Sequence, residues 1–250
     1  MEPVSILVGH EVRDRDHKSL GKILDLALDF EGGRVLATLL PASKGQLTAL
    51  PAVSYSFVSQ MSLLAETDRK SVSSAPGLPK GTKAEGLDSK SLITSFQHFG
   101  QKLAVPETGA CLLHSGAEGV GATLLSLEKE PLGKVKEIQV DLAHGRIVYL
   151  VIDPFPSLTT TQRLFLLPPI AVQPDLSHRT MLLKTNRSHF LAGPSVPKQY
   201  PTEMIFPEHA MALLKHYGLE EALKVTAAQA AGQDPRKAVM IRVLPERSSP

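Results

Sequence analysis

The chain has 250 residues, 42% of them hydrophobic, with 27 Lys and Arg against 25 Asp and Glu. A formal charge of +2 excludes the strongly basic footprint of a whole-molecule nucleic-acid binder, and no Trp with 5% aromatic residues leaves few rings for a base-stacking platform. No stretch approaches the ~20 apolar residues of a membrane-spanning helix, Met1-Glu2-Pro3 lacks the basic start of a secretory signal, and a single cysteine, Cys111, excludes an intramolecular disulfide and suits a reducing cytoplasm. The first patterned segment, Lys22 to Asp29, alternates: Leu24, Leu26 and Leu28 share one face, Asp25 and Asp29 the other. Period two predicts a strand with one buried face. Phe30-Glu31-Gly32-Gly33 then reads as a turn, and Arg34 to Leu40 as an apolar strand buried on both faces.

Gln46 to Ser59 predicts strands interrupted by Pro51, where the chain bends or changes partners. Met61 to Glu66 is the next strand, and Asp68 stands where a helix N-cap would. Ser71 to Lys90, rich in Ser, Pro, Gly and Lys, reads as a flexible connection. Val135 to Asp141, a turn at Ala143-His144-Gly145, and Arg146 to Ile152 predict a second strand pair. Arg163 to Val172, broken by Pro168 and Pro169, and Met181 to Lys184 follow, with Asn186 as a second cap candidate. Near the end, Met211, Leu214 and Tyr217 share a helical face that Gly218 stops. Glu220 to Ala231 favours helix, and Lys237 to Leu244 a late strand.

These elements repeat. Leu20-Gly21-Lys22-Ile23 returns as Leu132-Gly133-Lys134-Val135, and the same offset of 112 aligns Asp29 with Asp141, Gly33 with Gly145 and Arg34 with Arg146. Further on, Leu50-Pro51 matches Leu167-Pro168, Thr67-Asp68-Arg69 matches Thr185-Asn186-Arg187, and Pro76 matches Pro194. Shared order at near-constant spacing indicates a duplication covering about 8–76 and 120–194. Each unit of about 70 residues has a small core, so two copies packed as a pseudo-twofold pair are expected.

The repeated pattern resembles the PRC-barrel family, named for the cytoplasmic barrel of the photosynthetic reaction centre H subunit. The residues carrying the resemblance are Leu7-Val8-Gly9-His10-Glu11-Val12, then in each copy the Leu-Gly-Lys segment with Gly21 or Gly133, Asp29 or Asp141, the Gly33-Arg34 or Gly145-Arg146 turn, and the apolar strand after it. The small residue before Leu-Gly is Ser19 in copy one but Pro131 in copy two. Leu87 to Ile93 also resembles a family opening, a choice that puts an insertion at about 99–118 and leaves the start of the second barrel open. Pro197 to Leu219 is similar to the extension that follows the barrel in stand-alone members. The resemblance implies a mainly β protein: two tandem small barrels packed as a pseudo-dimer, with a short C-terminal helical extension. The implied division is repeat one over 1–78, a linker over 79–107 with the opening strand of repeat two as its alternative role, repeat two over 108–196, and an extension with helix and tail over 197–250.

Candidate chemistry is sparse. Cys111 and His114 stand three apart, a thiolate-imidazole spacing, but a metal site needs further ligands and no second Cys exists. Gly116, Gly119 and Gly121 fall in a glycine-rich run that precedes a predicted strand, whereas a phosphate loop precedes a helix, so a mobile loop is expected. His10 and His17 beside Asp14 and Asp16 read as solvated loop charges rather than a cation site. Asp29 and Asp141 suit turn capping, with Arg34 and Arg146 pairing across the turn. Arg236, Lys237, Arg242 and Arg247 make a basic tail, read as solvated.

No catalytic, cofactor-binding or metal residues are assigned; the repeat motif of Gly21, Asp29, Gly33, Arg34, Gly133, Asp141, Gly145 and Arg146 is read as structural. The expected function is a non-enzymatic cytoplasmic adaptor with protein partners and no nucleic acid, with peripheral membrane association and oligomeric state left open. The alternatives are an accessory of a membrane-bound photosynthetic or electron-transfer complex and a ribosome or RNA-processing factor, both resting on analogy of fold.

Overall fold

The structure is a computed structural model that describes residues 1–58, 63–84, 87–103, 113–159, 162–199 and 207–219. Its elements run twice through one order. Half one comprises β1 (Glu2–Pro3), α1 (Val4–Leu7), β2 (Glu11–Arg13), β3 (Ser19–Lys22), β4 (Asp25–Asp29), β5 (Arg34–Pro41), β6 (Leu47–Pro51), β7 (Tyr55–Val58), β8 (Leu63–Ala65), α2 (Arg69–Ser74) and α3 (Ser89–His98). Half two comprises β9 (His114–Ser115), α4 (Gly116–Gly119), β10 (Thr123–Leu125), β11 (Pro131–Asp141), β12 (Arg146–Pro154), β13 (Arg163–Leu167), β14 (Val172–Asp175), β15 (Thr180–Leu183), α5 (Arg187–Leu191), β16 (Ser195–Pro197) and α6 (Pro207–His216).

The fold is mainly β, but the expected two tandem small barrels are not what forms. One 12-stranded sheet holds the path β14-β15-β10-β11-β12-β5-β4-β9, a nearly closed barrel-like surface, and a separate 4-stranded sheet runs β3-β2-β8-β7. The halves merge because their strands pair with each other. β5 meets β12 antiparallel at Arg34 and Arg146, with Val35 N–H donating to Gly145 O at 2.9 Å and Ile147 N–H to Gly33 O at 2.9 Å. Each half also lends its first strand to the other: β1 pairs with β11 (Pro3 opposite Gln139), and β9 pairs with β4 (Ser115 opposite Ala27). These pairings are related by the offset of 112, so a pseudo-twofold axis passes between Arg34 and Arg146. Strands that would end as open edges in isolated barrels are paired instead.

The prolines act as the alternation suggests. Pro51 ends β6 in the large sheet, a single turn of 3-10 helix follows, and β7 enters the small sheet. Pro168 and Pro169 make the same turn between β13 and β14. Asp68 and Asn186 cap α2 and α5, accepting from Ser71 N–H at 2.7 Å and His189 N–H at 2.8 Å.

Two expectations are corrected by the cover helices. The segment 79–107 is not merely a linker, and Leu87 to Ile93 is not a strand: Asp88 caps α3, accepting from Ser91 N–H at 2.6 Å. α3 places Leu92 and Phe96 on a cluster with Ala27, Leu36, Ala37 and Leu39. β4 is consequently buried on both faces, Ala27 against α3 and Leu26 and Leu28 in the main core, while Leu24, expected inside, is 47% exposed before the strand begins. In half two, α6 does the same work, burying Leu213 against Tyr149, Val151, Leu164 and Leu166. Leu213, not Leu214, faces inward; the Met211 side chain lies outside the described residues. α3 and α6 are offset by 118, the offset that relates Asp68 to Asn186. The duplication therefore extends through the supposed linker and the supposed extension alike. No helix among the described residues is long and apolar enough to cross a membrane.

Candidate functional site

The eight motif residues divide into turn residues at the junction of the halves and two glycines remote from it. In half one, Asp29 Oδ1 accepts from Gly32 N–H at 2.8 Å, while Oδ2 receives Arg34 Nε at 2.9 Å and Nη2 at 2.6 Å. This is a turn cap combined with a fork-shaped ion pair. In half two, Asp141 accepts from His144 N–H at 3.2 Å and stands 2.8 Å from His144 Nδ1, with Arg146 Nη2 held off at 3.7 Å. Gly33 and Gly145 follow with φ of 63° and 60°, left-handed values that glycine adopts without strain. Gly133 brings β11 against β12: a Cβ there would lie 2.4 Å from Asp153 O.

Two buried carboxylates escaped the sequence reading. Asp25 is 9% exposed and Glu137 5%, and they are equivalent residues. Asp25 Oδ1 accepts from Leu26 N–H at 2.8 Å and Ala117 N–H at 3.1 Å. Glu137 Oε1 accepts from Ile138 N–H at 2.9 Å and Ser5 N–H at 3.2 Å, and its Oε2 receives the Ser5 hydroxyl. Each carboxylate thus anchors the one-turn helix lent by the opposite half. The signal in the sequence was only an acid in an alternating strand, which reads as a solvent-facing residue unless the exchange is known.

The glycine run forms α4, capped by the Ser115 hydroxyl, which accepts from Glu118 N–H at 3.0 Å; Gly116 and Gly119 are buried. The run is a packing element rather than the mobile loop expected. Cys111 lies outside the described residues, and the His114 ring meets the Phe30 ring edge-on at 5.7 Å. Asp14, expected to be solvated, is 4% exposed because its Oδ1 accepts from Asp16 N–H at 2.9 Å and Lys18 N–H at 2.8 Å, closing the β2–β3 loop. Ser126 closes the equivalent loop through its hydroxyl. Among the described residues, no group of three or more His, Cys, Asp or Glu could hold a metal ion. The region Glu220 to Pro250, with its predicted helix, late strand and basic tail, also lies outside the described residues.

An open cleft of about 870 Å³ lies where both halves contribute: Asp14 and Arg15 from the β2–β3 loop, Glu66 and Asp68 before α2, His98 at the end of α3, and His144 from half two. Its charged groups have intramolecular partners. Arg15 Nη2 reaches Glu66 Oε2 at 2.5 Å, and His98 Nε2 lies 2.9 Å from Ser71 O. The Ser71 backbone N–H holds the Asp68 carboxyl below the usual carboxylate range. Tyr55 is pushed well above the ordinary phenol range by burial, and its hydroxyl lies 2.7 Å from Thr38 Oγ1. What remains for a ligand is a broad rim of hydroxyls, amides and charged side chains. A smaller hollow of about 290 Å³ borders Asp153, Arg163 and Lys198, the Lys198 Nζ standing 2.7 Å from Asp153 Oδ1. In half two the equivalent of His98, His216, keeps the same bond, Nε2 lying 3.0 Å from His189 O, and stacks on the His189 ring at 4.2 Å.

With this geometry in hand, comparison with known proteins adds no family: no protein-family model matches the chain, and no curated protein is significantly similar to it.

Proposed function

We propose that the protein is a non-catalytic interaction module of the PRC-barrel type, a cytoplasmic adaptor that docks a protein partner in the cleft between the small sheet and the half-two turn. The observation that supports this reading is the state of the cleft's charges. Asp14, Glu66, Asp68 and His98 are engaged in loop closure, an ion pair, a helix cap and a carbonyl contact. Groups committed in this way present a shaped polar surface suited to interfaces with polar rims. Arg15, with 68% of its side chain exposed, is an accessible cation in that surface.

The test is capture by the full-length tagged protein from its native cells, with and without nuclease, beside an Arg15→Glu variant. A partner that survives nuclease and is lost from the variant supports the adaptor. Partners lost on nuclease treatment move the reading to RNA processing, and capture of a membrane-bound electron-transfer complex would make the chain an accessory of that assembly. Equal capture by both proteins removes the cleft from the proposal.

A further inference from the structure

Independent of any partner, the surface where the halves meet carries information about what can pair with what. Val4 and Gly116 are equivalent, each the first residue of its one-turn helix. The two helices contact one another across the pseudo-twofold axis. A Cβ built on Gly116 would stand 3.2 Å from Val4 Cγ1 and 3.2 Å from Leu26 Cβ, already tight for one added carbon. The isopropyl group of Val4 therefore occupies space that glycine leaves open on the opposite side.

The next residues differ in a complementary way. Ser5 gives both its N–H and its hydroxyl to Glu137. Its equivalent, Ala117, gives only its N–H to Asp25, a side chain one methylene shorter. The longer acid thus faces the residue with the extra donor.

We infer that these positions form a matched lock that makes the two halves non-interchangeable: the half-one surface accepts a half-two surface and rejects a second half-one surface. Two half-one surfaces docked in the same way would set Val4 against Val4, where a single carbon is already tight. Two half-two surfaces would set Gly116 against Gly116, leaving a void, and would bury a Glu137 oxygen against the methyl of Ala117 instead of a hydroxyl. Both steric misfit and a buried polar atom without a partner act against the wrong pairing. A symmetric ancestor needs neither asymmetry, so the lock distinguishes this fused pair from a dimer of identical units.

The experiment is thermal unfolding of the full-length chain carrying Val4→Gly, Gly116→Val, or both. Each single change lowers the melting temperature by roughly 5 °C. The double variant inverts the lock and regains at least half of the summed loss. Should Gly116→Val fail to fold, the milder pair decides. Val4→Ala lowers the melting temperature in the natural chain but raises it in a Gly116→Ala background. Losses that simply add in the double variant, or a Val4→Ala effect of the same sign in both backgrounds, would overturn the proposal. For the polar pair, Ser5→Ala lowers the melting temperature and Ala117→Ser leaves it unchanged; equal effects would remove that part of the lock.

Discussion

In half one the stretch from Ser19 to Asp29 breaks at Ile23 and Leu24 into β3 and β4, whereas the equivalent residues of half two run unbroken as β11. The break separates β3-β2-β8-β7 into a small sheet, while the equivalent strands β11-β10-β15-β14 remain in the large one. The ends of the halves also differ in charge. Asp14 and Asp68 on the half-one cleft correspond to Ser126 and Asn186, which make the same loop closure and the same helix cap without a charge. One backbone plan has been kept by different side-chain chemistry, and the half-one carboxylates Asp14 and Asp68 line the cleft to which half two adds Ala143 and His144. Duplication preserves what the main chain requires and leaves the surface free to diverge.

The equivalence of the cover helices can be broken most forcefully in their buried leucines. Leu92→Ala and Leu213→Ala should each cost about 3 kcal/mol, read by urea unfolding. A negligible effect for Leu213 would mean that α6 does not support half two as α3 supports half one. The two motif glycines remote from the junction, Gly133 and Gly21, should follow, for different reasons. Gly133→Ala drives a Cβ to within 2.4 Å of the backbone oxygen of Asp153 and should cost about 2–3 kcal/mol. Gly21 has φ of 122°, so Gly21→Ala should cost about 1–2 kcal/mol through backbone strain, both measured by the same unfolding curves.

The turns offer a finer comparison. The Asp29 side chain is 9% exposed and forked by Arg34, whereas Asp141 is 26% exposed and shared with His144. Asp29→Ala should cost about 2 kcal/mol and Asp141→Ala about 1 kcal/mol; the reverse order would show that the His144 contact outweighs the arginine fork. The smallest effect is a response to acid. The Asp68 carboxyl is held down chiefly by the Ser71 N–H, so its cap is fully present above the ordinary carboxylate value of about 4. It weakens as pH falls through the lowered folded-state value. Amide exchange at Ser71 should accelerate in acid relative to that at His189, whose Asn186 cap does not titrate, and Asp68→Asn should abolish the difference.

Much of the plan was legible. The Leu-Gly-Lys segment, the Asp-to-Arg turns and the leucine-proline strand ends recur at nearly constant offsets, because backbone geometry at turns and breaks demands particular residues locally. The Asp25 and Glu137 sites were not legible, since an acid in an alternating strand signals solvent until an amide from a distant helix is known to meet it. Ser71 to Lys90 was legible only as composition: its Ser, Pro and Gly suggested flexibility, yet α2 occupies its start and Leu78 and Leu87 are buried.

Sequence by itself determined the duplication, the predominance of strands, and the caps at Asp68 and Asn186, all consequences of local preference and period. Tertiary structure alone decided that the halves share one sheet and exchange their first strands. Those choices depend on which edges find partners and which faces find cover, and neither is set by neighbours along the chain. Val4 came to rest against Gly116, 112 positions away, and only that encounter gives either residue its meaning.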